Sequence, residues 1–356
     1  MKKLIPLLLA LCLLLTGCTF EYVPPKDTAE FTTTVIDTNG DALVVHFIDV
    51  GQADCTLIEF GDHHMLIDGG NREDGQMIIS YLDRMGVEAL DAVICTHAHE
   101  DHVGGLPSVL AVFPTDAIYA PTRTYSSKVF DDFLYYADQQ GREVIIPAPG
   151  DTFFLGEVQV TIVGPVKSYA EPNDTSIVCR IDYGETSFLF TGDMEVTAEN
   201  DMLDYWEERY SSEIVDVDVL KVGHHGSNTS TGYRFLHEVN PDYGVIFCET
   251  GNSYGHPHDE PMSRLNQAGV TLFRTDEMGT ILAVSDGNEI TFTWENQSAT
   301  PDNAEAAEEI FIGNKNSKKF HAPHCNSLPA EKNRVEFDSY QDAIDAGYTP
   351  CSGCLG

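Results

Sequence analysis

His97, His99 and His102 fall within six residues of one another, with Glu100 and Asp101 between them, directly after the apolar run Asp91-Ala92-Val93-Ile94-Cys95. Three imidazoles and two carboxylates delivered where a buried strand runs out are nitrogen and oxygen donors suited to one or two borderline divalent cations such as zinc. A tight loop that crowds histidine against aspartate needs a cation to offset its charge. A dinuclear centre asks for more, a bridging carboxylate and a far-side ligand carried by other strand ends. Phe190-Thr191-Gly192-Asp193 ends one apolar run in an acid, and Leu220-Lys221-Val222-Gly223-His224-His225-Gly226-Ser227 ends another in two histidines. Taken singly, the first reads as a turn and the second as a polar loop. In this order, behind the first motif, they complete a ligand set.

The spacing H-x-H-x-D-H from His97 to His102 resembles the signature of the metallo-β-lactamase fold. Around it stand His46 to Asp54, the Leu66-Ile67-Asp68-Gly69-Gly70 turn, Asn173-Asp174-Thr175-Ser176, Thr191-Gly192-Asp193, Lys221 to Ser227 and Asn252 to Pro257. That order of motifs, running from about Asp41 to Trp294, resembles the C-terminal hydrolase domain of the ComEC competence family and its stand-alone relatives. The family's membrane channel has no counterpart here, because nothing after Cys18 is long and apolar enough to span a bilayer. The wider metallo-β-lactamase pattern usually carries another histidine between the first motif and the bridging acid, yet none occurs between His102 and His224. Asn173, Asp174 and Ser176 stand there instead, as in the ComEC branch. The resemblance therefore implies a first metal at His97, His99 and bridging Asp193, completed by Asn173 or a water. A second metal would take Asp101, His102, Asp193 and either His224 or His225. The implied cofactors are two divalent ions, zinc or manganese.

Two such ions roughly 3.5 to 4 Å apart activate a water and clamp the attacking and leaving oxygens of an in-line displacement. The expected reaction is attack of a metal-bound hydroxide on a phosphodiester phosphorus, with Asp101, Asn173, Ser176, His225 and His256 as catalytic candidates. His225 or His256 would donate a hydrogen bond or proton to the developing oxyanion; the plainer reading of His256 is a loop cap beside Pro257. Asp68 and Asp49 are expected to orient ligand imidazoles. The function this implies is a surface-anchored, metal-dependent phosphodiesterase or nuclease acting on extracellular DNA or nucleotides. Keeping the metals but changing the substrate gives a hydrolase of a small ester, a lactone or a cell-wall phosphodiester such as phosphorylcholine. The reading without chemistry is a lipoprotein that captures DNA.

The elements that must position these groups follow from hydrophobic period and turn residues. Short apolar runs near 43–50, 55–60 and 65–68 read as a strand meander. Apolar positions at Met77, Ile78, Tyr81, Leu82 and Met85 give a helix ended by Gly86. Further strands are expected at 117–119, 143–146, 152–155, 158–163, 176–181 and 187–190. Helices at 195–209, 231–239 and 261–268 then alternate with strands near 218–222, 243–247 and 271–273, and two strands at 280–284 and 289–294 close the domain. Meanders followed by alternating helices and strands make an α/β fold, an αββα sandwich over residues 41–294.

The formal net charge of -37 over 356 residues argues against tight, extended binding to a polyanion, although metal ions in a site would locally reverse that sign. Residues 1–17, with Lys2-Lys3, an apolar core and Leu15-Thr16-Gly17-Cys18, read as a secretory signal ending in a lipobox. Cys18 would then be lipidated and would anchor an extracytoplasmic chain to the cell membrane, with no transmembrane helix in the mature protein. Residues 18–40 read as a tether, and 295–309, rich in Ala, Glu, Pro, Asn and Ser, as a linker.

Residues 310–356 carry His321-x-x-x-Cys325 and Cys351-x-x-Cys354, the closed nitrogen and sulfur set of one structural zinc. About 47 residues hold too small a core to fold without such a staple. The stretch resembles the zinc-binding domain of Ada-type DNA repair proteins, departing from its four-cysteine site at His321. His324 competes for that position but sits directly beside Cys325. A disulfide among three exported cysteines is the alternative, and it leaves one thiol over. Lys315, Lys318, Lys319, Lys332 and Arg334 make this module locally basic, fit either to touch nucleic acid or to serve structure alone.

Overall fold

The computed structural model describes residues 42–209, 212–302, 310–323 and 325–355. The expected signal peptide, Cys18, the tether, residues 303–309 of the linker and His324 lie outside the described residues.

Strands β1 (Leu43–Phe47), β2 (Thr56–Phe60) and β3 (His63–Ile67) form an antiparallel meander. Helix α1 (Gly75–Arg84) crosses to β4 (Leu90–Ile94), and α2 (Glu100–Val103) with α3 (Leu106–Val112) leads to β5 (Thr115–Tyr119), so that β3, β4 and β5 run parallel. Beyond α4 (Lys128–Gln139), strands β6 (Thr152–Leu155), β7 (Val158–Gly164), β8 (Val178–Tyr183) and β9 (Thr186–Phe190) pair antiparallel and open a second sheet. That sheet continues in parallel through α5 (Val196–Arg209), β10 (Val219–Lys221), α6 (Tyr233–Val239), β11 (Tyr243–Ile246), α7 (Asp259–Gln267) and β12 (Thr271–Arg274). Helix α8 (Thr275–Met278) returns the chain to the first sheet as β13 (Ile281–Ser285) and β14 (Ile290–Trp294). The two seven-stranded sheets have the orders β14-β13-β1-β2-β3-β4-β5 and β12-β11-β10-β9-β8-β7-β6.

Burial explains the layering. Every residue of β1 is buried, because strands covered on both faces lose the alternation of a half-exposed sheet. Between the sheets pack Phe47, Phe190 and Phe247, the first two with ring centroids 6.0 Å apart. On one outer face, α1 and α4 turn narrow apolar stripes inward, Ile78, Tyr81 and Leu82 from the first and Phe130, Phe133 and Ala137 from the second. On the other face Leu203, Trp206, Phe235 and Leu265 cover the second sheet. The result is the expected αββα sandwich.

Two local expectations change. Residues 143–146 do not form a strand; Ile145 makes one isolated bridge to Tyr119, since exposed Ile145 and Ile146 have no sheet face to enter. The start of the linker is docked, with Asp302 bridging Leu272 through hydrogen bonds of 3.0 and 3.1 Å and Ala299 accepting from the Trp294 indole at 3.2 Å. The short helices α2 and α8 carry too few residues to show a period in sequence.

After the linker, β15 (Phe311–Asn314), β16 (Lys319–His321), β17 (Arg334–Phe337), α9 (Tyr340–Asp345) and β18 (Thr349–Pro350) build a small sheet ordered β17-β15-β16-β18. Its core is slight: Phe311, Phe320, Ala343, Tyr348 and Leu355. Tyr233 of α6 packs against Phe311 and Tyr340, at 5.6 and 6.4 Å between centroids.

One buried acid sets a pH dependence. Glu199 of α5 accepts the backbone N–H groups of Thr231 at 2.5 Å and Gly232 at 2.9 Å, at the entry to α6. Burial pushes its carboxyl up from 4.5 to about 7. Folding thus favours the protonated acid, so its contribution is full below pH 4.5, the unfolded value, and is lost as pH rises through 7. The loss approaches roughly 3 kcal/mol at 1.36 kcal/mol per unit. Urea midpoints measured from pH 5 to about 8 are expected to fall in the parent and to stay nearly level in Glu199→Gln; parallel slopes in both proteins contradict this.

Candidate metal centre

The carboxyl ends of β3, β4, β9 and β10 meet at one edge of the sandwich, where α/β layers commonly bind ligands. Asp68, in the left-handed region just past β3 (φ 58°), accepts both the N–H and the hydroxyl of Thr96 at 2.7 Å. The same carboxylate takes His102 Nδ1–H at 2.8 Å, which fixes the ring and turns Nε2 toward Asp193 Oδ2 at 3.2 Å. His225 is held in the same manner. Its Nδ1 donates to the Phe247 carbonyl at 3.1 Å, and its Nε2 faces Asp101 Oδ2 at 3.4 Å and Asp193 Oδ2 at 3.6 Å. Both His224 and His225 adopt left-handed backbone, φ 49° and 55°, a strain typical of functional turns. Gly226 behind them is required, because a Cβ there would stand 2.6 Å from Pro257 Cβ.

Asp101, His102, Asp193 and His225 each offer one donor atom, all within 4.8 Å of one another. Of these atoms' surroundings, His102 Nε2, His225 Nε2 and Asp193 Oδ1 are buried without a hydrogen-bond partner. Buried polar atoms are nearly always paired, so orphans converging from three strand ends fit a divalent cation. Electrostatics agree. Burial works against charge on His102, yet Asp193, Asp68, Asp101 and Asp54 outweigh it and raise the imidazole well above its usual value. His225 is raised for the same reasons, while Asp193, despite burial, is held well below the carboxylate range by His102 and His225. Carboxylates that draw protons onto two buried imidazoles are satisfied equally by a bound metal ion.

His97 and His99 flank this set. His97 is fully buried, 4.0 Å from Asp193 Oδ2, and its Nε2 lies 3.1 Å from His99 Nδ1. His224 Nε2 is 3.7 Å from Asp193 Oδ2, while its Nδ1 lies 3.4 Å from Glu195 Oε1. Asp193 Oδ2 is thus the point that four imidazoles approach. Asn173 donates to Glu195 Oε1 at 3.2 Å and leaves Oδ1 buried and unpaired. A cleft of about 380 Å³ opens over these groups, with Tyr254 and His256 on its rim.

Two assignments need correction. Ser176 is 1 % exposed; its hydroxyl accepts Asp193 N–H at 3.1 Å and lies 3.4 Å from His97 Nδ1, so it faces these neighbours and does not line the cleft. Asp49 accepts the Gly51 backbone N–H at 3.1 Å instead of an imidazole. His256 Nδ1 accepts from Gln52 Nε2 at 3.2 Å, which leaves Nε2–H as a donor. Burial and the neighbouring His225 and His224 push its pKa down to about 4, so at neutral pH it offers a hydrogen bond and not a proton. Its loop is capped by Asn252, whose Oδ1 accepts His256 N–H at 3.0 Å.

Lys221 and Asp54 belong to the centre and went unread in the sequence. Lys221 is 2 % exposed, with Nζ 2.5 Å from Asp54 Oδ2, 2.9 Å from the Gly192 carbonyl and 3.7 Å from Asp193 Oδ1. Burial opposes its charge, but Asp54 and Asp193 raise its pKa nonetheless. The signal was a lone lysine inside Val219-Leu220-Lys221-Val222.

In the C-terminal module His321, Cys325, Cys351 and Cys354 also bring donor atoms within 4.8 Å of one another, with His321 Nδ1 3.3 Å from Cys325 Sγ. The three cysteines are unbridged, so the disulfide alternative is not adopted, and the N/S3 donor set fits a tetrahedral zinc.

Residues 48–250 match the family model described as Metallo-beta-lactamase superfamily, and residues 296–355 match the Metal binding domain of Ada. ComE operon protein 3 of Bacillus subtilis is 30% identical over 258 residues, 67% of this chain and 32% of that protein. Competence protein ComA of Neisseria gonorrhoeae is 30% identical over 235 residues, covering 65% and 31%. Recombination protein 2 of Haemophilus influenzae is 32% identical over 230 residues, covering 63% and 26%. The chain thus spans 32%, 31% and 26% of the lengths of these three relatives.

Proposed function

The chain belongs to the metallo-beta-lactamase superfamily and is a metal-dependent hydrolase of it, and from that premise we propose that it hydrolyses phosphodiesters of DNA or nucleotides. The observation that carries the reading is the convergence of Asp101, His102, Asp193 and His225, with the Nε2 atoms of both histidines buried and unpaired. Relatives named for competence and for recombination support a nucleic-acid substrate. In this proposal the four residues hold one divalent ion, and His97, His99 and Asp193 hold a second, zinc or manganese. When bound, such ions supply Lewis-acid stabilisation of developing negative charge and ease deprotonation of water.

The chain's own groups do the rest. Asp68 and the Phe247 carbonyl hold His102 and His225 in the tautomer that presents Nε2. His256 Nε2–H faces the cleft and serves as a neutral donor to phosphoryl oxygens, while Asn173, its amide N–H spent on Glu195, offers the unpaired Oδ1 to the first ion. Lys221 offsets the charge of Asp54 and Asp193 without reaching substrate. Zinc in the C-terminal module staples its small sheet. A lipid anchor at Cys18, outside the described residues, would place the enzyme at the extracytoplasmic face; loss of labelled palmitate in Cys18→Ser tests that part alone.

A second reading is favoured by the acidic rim of Glu73, Glu100 and Glu249 beside the cleft, which suits a small ester or lactone better than a long polyanion. Incubation with linear duplex, single-stranded DNA, a lactone and a small phosphodiester reporter, in zinc or manganese, separates the two. Diester cleavage abolished by chelation is expected; lactone turnover alone, or cleavage insensitive to chelation, overturns the proposal.

A further inference from the structure

Tyr254 is 67 % exposed, on a loop tied down by hydrogen bonds. Its ring lies 5.6 Å from His256 at an interplanar angle of 21°, and His256 in turn lies 6.2 Å from His225, again at 21°. A row of three rings in successive near-parallel pairs therefore leads from the metal centre to the solvent. The loop that ends the row is built beforehand. Asn252 Oδ1 accepts the N–H groups of Tyr254 at 3.1 Å and His256 at 3.0 Å, and its Nδ2 donates to the Glu249 carbonyl at 2.9 Å and the His256 carbonyl at 2.5 Å. Gln52 ties the same loop to the first sheet's side through Glu249 N–H at 3.2 Å and His256 Nδ1 at 3.2 Å.

Resting on the phosphodiesterase reading above, we propose that Tyr254 is a stacking platform for the base next to the scissile phosphate. A planar ring laid on Tyr254 continues the row, and a tyrosine with two side-chain torsions loses little freedom when it receives one. Stacking is tolerant of base identity because every base has a π-face. The surrounding acids give the platform its selectivity. Tyr254 lines the metal cleft together with Asp101, Asp193 and His225, and it also borders the space lined by Glu73, Glu100 and Glu249. Those carboxylates repel a long phosphate track, and a duplex keeps its bases inside the stack. The preferred substrate is accordingly a nucleoside phosphodiester with an unpaired base, such as a dinucleotide or a single-stranded end.

The test compares Tyr254→Ala and Tyr254→Trp with the parent on two diesters, thymidylyl-thymidine and glycerophosphoglycerol, which has no ring. Tyr254→Ala is expected to raise KM for the dinucleotide roughly 10- to 100-fold, the range of one base–aromatic stack, with kcat little changed. Tyr254→Trp restores the parent KM, and glycerophosphoglycerol responds to neither substitution. Equal losses on both diesters, or no change on the dinucleotide, overturn the platform. Calorimetry on the metal-loaded proteins reads it without turnover: the alanine variant binds thymidine 5′-phosphate more weakly and inorganic phosphate as before. A parent that cleaves neither diester sinks the phosphodiesterase reading, whereas equal nucleotide binding by parent and alanine variant sinks the platform.

Discussion

Asp193→Asn protein is expected to lose its sandwich-bound metal and on the order of 1000-fold in diester turnover. Asp193 Oδ2 lies 3.2 Å from His102 Nε2, 3.6 Å from His225 Nε2, 3.7 Å from His224 Nε2 and 4.0 Å from His97 Nε2. No other oxygen in the centre is approached by four imidazoles among the described residues, so no neighbour can replace it as the shared ligand. Asparagine is the informative substitution because it keeps the volume of a fully buried side chain. Alanine removes the same charge and leaves an unfilled space as well, which adds a cavity cost and confuses folding with function. Two readouts are needed, metal content of the folded protein and its thermal shift on adding metal. The parent should gain about 2.7 kcal/mol at a free metal concentration 100 times the dissociation constant. If Asp193→Asn keeps both the metal and the shift, the shared-ligand assignment is wrong.

Removing the metal proposed for the C-terminal module is expected to unfold that module and to spare the sandwich. The small sheet buries little besides Phe311, Phe320, Ala343, Tyr348 and Leu355, and a core of that size does not offset the chain entropy of its residues. A structural zinc on such a site supplies about 10 to 16 kcal/mol, enough to decide folding. Cys354→Ser should therefore release zinc and open the segment after residue 310 to protease, leaving a resistant fragment that ends near Asp302, where the chain is still paired to Leu272. Losing the contacts of Phe311 and Tyr340 with Tyr233 lowers the stability of the sandwich by a few kcal/mol at most. A serine variant that retains zinc and resists cleavage like the parent contradicts the staple.

Much of this centre is legible in the sequence alone. The motif from His97 to His102 is local, because consecutive residues past one strand must lie together, and its crowding of imidazole and carboxylate admits few explanations. Gly-Asp and Gly-His-His after apolar runs could be placed at strand ends by the same logic, and the parallel pairing of β3 with β4 and of β9 with β10 brings those ends to one edge. The closed N/S set of the tail was legible for the same reason: its ligands sit in two short spacings.

What the sequence determined alone, then, was chemistry carried by neighbours along the chain: the donor types, the strands that deliver them, and the αββα layering that apolar runs and helical stripes demand. The tertiary structure decided everything that depends on distance between remote residues. It gave His225, and not His224, the Phe247 carbonyl and the approach to Asp101. It turned Ser176 from the cleft toward Asp193 and His97, and it placed Lys221 against Asp54, 167 positions earlier in the numbering. The physical reason is one of range. Propensity and hydrophobic period act over a few residues, whereas the hydrogen bond that orients an imidazole is set by whichever strand end the packed sheets happen to bring within about 3 Å of it.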